Sequence, residues 1–278
     1  MLNYGFDPKP SKYPYPEFTD GHYLKIKKDD GTVFDSDYPY IDDSPAFLRK
    51  RRLFDIVLRL VVFPMTRIRL GLRVRGKDNL KKYSEELKNG AVFCSNHVHL
   101  WDFLAIRSAL IPHRPYVLVW SKNVSGENGK NVRLIGGIPI PETGPAATRA
   151  QLTAIKNMLD AGGWLQVYSE GSMWEYYRPV RPFKKGAARI ADKFGKPLVP
   201  MAFSYRRPGW IRRTIFRQTA LFTLSIGEPL YPDASLGTKE REEELCKRSH
   251  EAVCALAGID PAENIYPPVF QDSRKIKY

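Results

Sequence analysis

Apolar positions along this chain follow two periods, and the switching between them outlines its architecture. Short apolar runs at 91–95, 116–119, 138–140, 164–168, 198–203 and 220–226 predict buried strands. Between them the spacing becomes helical. It resumes after His97, holds over 148–161 (Leu152, Ile155, Met158, Leu159) until Gly162-Gly163, and holds over 186–194 until Gly195. A last helix is predicted over 238–257, with acidic residues in its first turn. Strands alternating with helices predict an α/β domain with a mixed, largely parallel sheet flanked by helices.

The N-terminal quarter differs. Residues 1–44 are rich in Tyr, Pro and Asp and lack periodicity, which predicts an irregular extension; Asp29-Asp30-Gly31 would suit the turn of a β-hairpin. Ser44 then fits an N-cap with Pro45 in the first helical position. Apolar side chains at 47, 48, 54, 57, 58 and 61 recur at helical spacing beside a basic cluster at 49–52. A basic amphipathic element over 45–75 is therefore expected, with Arg49, Lys50, Arg51, Arg52 and Phe54 in the headgroup layer of a membrane. The same pattern also describes a core-packing helix with a solvated basic face. A second basic-aromatic stretch, 205–217, contains Trp210, Arg212 and Arg213 and fits an interfacial anchor. These boundaries leave 76–260 as the main domain and 261–278 as a tail.

Composition narrows the partners. The 278 residues are 43% hydrophobic and 27% charged, enough for a substantial core, and carry a formal net charge of +14. Such an excess calls for an anionic partner: nucleic acid, an anionic bilayer, or a phosphorylated or acidic-carrier substrate. No nucleic-acid motif accompanies the basic stretches, so no nucleic acid is expected. The 3 cysteines lack metal-like spacing and fit a reducing compartment, with Cys94 as a buried thiol. No signal-like start and no spanning-length apolar run is visible, which places the expected protein in the cytoplasm, peripherally on the inner face of a membrane.

Chemistry concentrates in Ser95-Asn96-His97-Val98-His99-Leu100-Trp101-Asp102. His97 follows a strand, at the end where open α/β sheets place ligands. Asp102 lies within about one and a half helical turns, close enough to curl back to one imidazole nitrogen and stabilise the imidazolium formed at the other. A hydroxyl activated this way attacks a thioester directly. Three other readings of these residues stay open. His97, His99 and Asp102 also fit a set of metal ligands; Ser95 or Cys94 also fits a nucleophile, although no Gly-x-Ser-x-Gly elbow is present; and a His–Asp pair is often only a satisfied hydrogen bond.

Four blocks in order resemble the glycerolipid acyltransferase family, which includes lysophosphatidic acid and glycerol-3-phosphate acyltransferases. Asn96-His97-x4-Asp102 resembles the first block, and the resemblance implies His97 as base and Asp102 as its orienting acid. Gly136-Gly137-Ile138-Pro139-Ile140 resembles the second, a loop near the acceptor. Tyr168-Ser169-Glu170-Gly171-Ser172 is similar to the third, which handles the acceptor phosphate, and Phe183-Lys184-Lys185-Gly186-Ala187 follows it. Leu198-Val199-Pro200-Met201 resembles the fourth. The resemblance implies Gly136, Gly137, Glu170, Gly171, Ser172 and Pro200 at the substrate site.

Two family arginines are missing: Pro141-Glu142 and Met173 stand where arginines are usual, and Arg178, Arg181, Lys184 and Lys185 lie near enough in sequence to replace them. The resemblance implies acyl-CoA or acyl-carrier protein as donor, a lyso-lipid as acceptor, and no metal or redox cofactor. Backbone amides near the helix start are expected at the oxyanion. The retained fold would also suit a catalytically silent lipid-binding protein.

Overall fold

A computed structural model describes residues 6–8, 21 and 29–261. The arm before Asp29 that a hairpin would need, and nearly all of the tail, lie outside the described residues. Residues 29–44 contain no strand; Asp29 and Asp30 accept backbone N–H bonds from Gly31 (3.1 Å) and Thr32 (3.0 Å), closing local turns instead.

One seven-stranded sheet forms the centre. In chain order its strands are β1 (Arg73–Arg75), β2 (Ala91–Ser95), β3 (Tyr116–Trp120), β4 (Gly137–Ile140), β5 (Trp164–Tyr168), β6 (Leu198–Arg206) and β7 (Leu221–Ile226). The spatial order is β1-β7-β6-β2-β5-β3-β4. From β6 to β4 all neighbours run parallel, whereas β7 is antiparallel to β6 and parallel to β1. The reversal at β7 has a plain cause: the link from β6 holds only one short helix, and a parallel return needs a full crossover. β1 was not expected from the sequence, because three residues with two arginines carry no strand period. It makes 73–75 part of the sheet rather than of the preceding helix.

Helices α1 (Pro45–Val57) and α2 (Phe63–Leu70) are joined by a π-helical stretch, Leu58–Val62. Ser44 caps α1 as expected, its Oγ accepting from the Phe47 amide at 3.3 Å. The π stretch lies just before Pro64, whose ring and missing N–H would break an ordinary α turn. Short helices α3 (Lys77–Lys82) and α4 (Ser84–Leu87) follow β1, α5 (Asp102–Ala109) follows β2, and α6 (Ser121–Ser125) and α7 (Gly129–Ile135) lie between β3 and β4. The longer α8 (Gly144–Asp160) precedes β5, α9 (Gly186–Phe194) precedes β6, α10 (Trp210–Thr214) precedes β7, and α11 (Thr238–Ala257) closes the domain.

Alternation along the strands builds two cores. Val92, Cys94, Leu165 and Leu198 meet α8, α9 and α11 on one face. Ala91, Phe93, Val199 and Phe203 meet Ala105, Ile106 and Ala109 of α5 on the other, with Leu70 of α2 beyond. Both faces are covered, which is why β2 is apolar throughout rather than alternating.

The α1–α2 segment lies outermost, and its orientation is inverted relative to a soluble surface helix. Its inward side carries Arg51 and Asp55, both buried. The Asp55 carboxylate accepts from Arg59 Nε at 2.8 Å, pairs with Arg114 Nε at 3.0 Å, and is also bonded by Arg107. Arg51 stacks on the Tyr116 ring, 4.0 Å from its centroid, and donates to its hydroxyl. Its outward side carries Leu53, Ile56, Val57, Leu60, Val61, Met65 and Ile68, with Leu60 73% exposed. Trp210, Ile211, Ile215 and Phe216 add a second exposed apolar group around α10. Two expectations for this segment are corrected. Arg51 is folded inward against Tyr116, where its charge is not offered to a headgroup. The outward apolar stripe also runs through 53, 56, 57, 60 and 61 rather than through 54 and 58, because Asp55's ion pairs turn that side to the protein. Phe54 is half-buried, and Arg49, Lys50, Arg52 and Arg213 are exposed. Arg212 is half-buried and binds the Ile68 carbonyl at 3.1 Å.

Candidate active site

β2 delivers the site. Asn96 extends it by one side-chain rung, donating to the Phe203 carbonyl at 2.9 Å and accepting from the Phe203 amide at 2.8 Å. The chain then turns through 97–101 into α5, and Asp102 folds its carboxylate back over the turn. Asp102 Oδ2 meets three donors: the amides of Val98 (2.7 Å) and His99 (3.0 Å), and His97 Nδ1 (3.0 Å). A carboxylate accepting there fixes the Nδ1–H tautomer and leaves Nε2 with a free lone pair. Asp102 is fully buried, while the His97 side chain is 23% exposed. A shielded carboxylate behind a reachable imidazole is the geometry of a general base.

Tyr168, at the end of β5 and level with Ser95, stacks under the His97 ring with centroids 3.8 Å apart and planes 15° apart. Its hydroxyl is buried, which pushes its pKa well above the ordinary range, so it supports the imidazole as a neutral surface. This role was not legible in the sequence, since the contact depends on sheet register between β2 and β5.

Below this layer lies a buried clamp. Glu170 Oε2 accepts from the His97 amide at 2.9 Å and from Arg181 Nη2 at 2.8 Å, and Oε1 accepts from the Arg181 amide at 2.8 Å. Arg181 also donates to Ser172 Oγ at 2.8 Å and lies 4.4 Å from the Trp174 ring centroid. The amides of Trp174 and Tyr176 bind the His97 and Val98 carbonyls at 3.0 and 2.9 Å. The segment 169–181 therefore holds the reactive turn from beneath.

Several expected substrate contacts are consequently found in other roles. Glu170, Ser172 and Arg181 are buried in this clamp, bonded to one another, and their charges are internal. Gly171, at φ +82°, faces the Lys184 side chain, whose Cε would lie 2.8 Å from an added Cβ. Lys184 itself is exposed, and Lys185 is ion-paired with Glu243 of α11. Arg178 is half-buried in the same loop.

Gly137 aligns through Val117 and Gln166 with Phe93, before the end of β2 and three strands across, about 14 Å away laterally. A Cβ on Gly137 would strike Val132 at 2.6 Å, and one on Gly136 would crowd Arg51 and Pro115, so both serve close packing. Pro200 is buried within β6 opposite Cys94, its carbonyl bonded by Gly227. None of these three residues reaches the reactive turn.

Of the backbone amides around the helix start, where an oxyanion is expected, those of His97, Val98 and His99 bind carboxylates, Trp101's binds His99 Nδ1 at 3.0 Å, and Asp102's binds the His99 carbonyl at 3.0 Å. A nucleophilic Cys94 or Ser95 is also inconsistent with the geometry. Cys94 is fully buried with its thiol pushed up to about 12 by desolvation, and Ser95 Oγ, also buried, accepts from Gln166 at 2.8 Å. The two imidazoles serve different partners rather than one centre. Burial, opposed by Asp102, pushes the His99 pKa down and keeps its ring neutral.

Beside the turn opens a cavity of about 520 Å³. Met65, Ile68, Trp101, Tyr176, Phe216 and Phe222 line it, and His99, Arg69 and Arg217 add polar groups. Its outer wall is continuous with the exposed apolar stripe of α2 and with Phe216.

Residues 71–204 match the family model described as Acyltransferase. Among solved structures, the chain is similar to the crystal structure of the 1-acyl-sn-glycerophosphate (LPA) acyltransferase PlsC from Thermotoga maritima. The identity is 22%, the TM-score 0.46, and the match covers 70% of this chain and 73% of that one. No curated protein matches the sequence. The matched segment contains the His97–Asp102 turn and the 168–172 loop.

Proposed function

We propose that this protein is an O-acyltransferase that moves a fatty acyl group from acyl-CoA or acyl-carrier protein to the hydroxyl of a lyso-lipid at a membrane face. The observation that carries the reading is the 3.0 Å contact between His97 Nδ1 and the buried Asp102, with Nε2 left free on the partly exposed side. In the reaction His97 Nε2 takes the acceptor's hydroxyl proton as the oxygen bonds the thioester carbonyl carbon. The C–S bond then breaks, and the departing thiolate recovers that proton from the imidazolium. Asp102 stabilises the cation in between. 1-Acyl-glycerol 3-phosphate suits this site as acceptor; a lyso-ornithine lipid, another lysophospholipid or a glycolipid would use the same chemistry. A transfer assay with a labelled acyl thioester and a panel of these acceptors tests the reading. Ester product from at least one lyso-lipid is expected, and none from any would refute it.

Membrane association is supported by the inverted α1–α2 segment, whose apolar side faces outward beside exposed Arg49, Lys50 and Arg52. No helix among the described residues is long and apolar enough to cross a bilayer. Leu60→Ser with Val61→Ser should lower binding to anionic vesicles roughly tenfold or more, at about 1.5–3 kcal/mol per buried aliphatic side chain, while leaving Tm unchanged. Lys50→Glu with Arg52→Glu should weaken binding at low salt and much less at high salt. Vesicle sedimentation that is indifferent to both variants would remove α1–α2 from the interface.

A further inference from the structure

We infer that Arg69 and Arg217 form the binding site for a phosphate-bearing headgroup of the acceptor, in the cavity beside His97; the inference rests on the acyl-transfer reading. The two residues come from segments far apart in sequence, and both lie outside the residues that match the family model. Four observations converge on them.

Both line the 520 Å³ cavity, whose other walls are mostly apolar and which no carboxylate lines. Neither arginine makes an ion pair with a described residue, in contrast to Arg181, Arg107 and Lys185, which are all engaged. Arg69 instead lies 5.1 Å from the ring centroid of Trp101, the neighbour of Asp102. Two guanidinium groups with no ion pair to a described residue, beside an apolar hollow, call for an amphiphile with an anionic end.

Their placement is built. Gln218 donates to the Ile68 carbonyl at 3.3 Å and to the Arg69 carbonyl, while accepting from Arg212 at 3.1 Å. That joins the C-terminal end of α2 to the 215–219 turn, so the backbones carrying the two arginines are tied together. Arg217 itself is held at φ +49°, a left-handed conformation that disfavours side chains larger than glycine and that clusters at functional sites.

The surroundings orient the ligand. Trp101 and His99 line the cavity and belong to the same turn as His97, so a phosphate held by the arginines would anchor the acceptor beside that turn. Met65, Ile68 and Phe216 form the outer wall and merge with the exposed apolar stripe, giving the acyl chain a path to the bilayer. The arginines thus take the part of the missing family arginines, which Arg181 and Lys185 do not fill.

The test compares Arg69→Gln/Arg217→Gln with the unaltered chain. The acceptors are short-chain 1-acyl-glycerol 3-phosphate and the 1-acyl-glycerol of equal chain length, both kept monomeric so that vesicle binding plays no part. Binding of the phosphate acceptor should weaken roughly tenfold or more, and its KM should rise in step, as expected for lost charged hydrogen bonds. Binding of the neutral acceptor and KM for the thioester should stay within twofold. Equal loss for both acceptors, no loss for either, or a rise confined to the thioester KM would overturn the assignment. The two readings fail separately. Arginine-dependent binding without ester product would strike the transfer reaction and leave the site. Ester formed equally from both acceptors, and unaffected by the double variant, would strike the site and leave the reaction.

Discussion

Replacing His97 with alanine should reduce acyl transfer by roughly 10²–10⁴-fold, the range expected when a positioned general base is lost, while the protein stays folded. The imidazole is partly exposed and makes one side-chain hydrogen bond, to Asp102, so its removal opens little of the core. Far-UV circular dichroism and Tm should stay close to those of the unaltered protein. Asp102→Asn sharpens the test from the other side. Its amide can keep the shape but presents a weaker acceptor to three donors, and the Nδ1–H tautomer and the imidazolium both lose support. The rate should fall with kcat rather than with the acceptor KM. Less than a tenfold loss in His97→Ala would place the proton transfer elsewhere.

The largest stability effect is expected at Arg181. Its side chain is 0% exposed and that of Glu170 is 1% exposed, and Glu170 also holds the His97 amide. Arg181→Met leaves a carboxylate in the interior with two backbone donors and no counter-charge. Breaking a buried pair from one side costs about 3–5 kcal/mol, or roughly 6–20 °C in Tm for a chain of this size. Glu170→Leu should also destabilise, by removing the acceptor that holds both the His97 amide and the Arg181 side chain. The double variant should recover much of the loss, because neither charge is then unpaired. Additive losses, or a cost below about 1 kcal/mol for either single variant, would mean that Arg181 is not the internal counter-charge of Glu170. Activity should fall too, since the clamp holds the backbone of the reactive turn.

The elements themselves were largely legible. The spans 164–168, 186–194 and 238–257 coincide with β5, α9 and α11, because each is set by local periodicity and bounded by a glycine or turn. The His97–Asp102 contact was legible for a similar reason: five residues at a strand-to-helix turn leave the carboxylate few places to go. What was misplaced depends on distant partners. Glu170 was expected at the substrate site and Arg181 as a replacement for a missing arginine, and only their meeting under His97 makes them a clamp. Gly136 and Gly137 were expected at the substrate site, whereas Arg51, Pro115 and Val132 pack against them.

Sequence alone therefore determined the α/β class, the order of six of the seven strands and of the longer helices, the basic excess, and the adjacency of base and acid, all of which follow from short-range spacing or composition. Tertiary structure alone decided which charges are internal and which are available. A charge's environment is set by what packs on it from other segments: Asp55 turns α1 so that its apolar side faces outward, and Gln218 brings Arg217 beside Arg69. Burial and pairing are sums over neighbours that a linear pattern does not name.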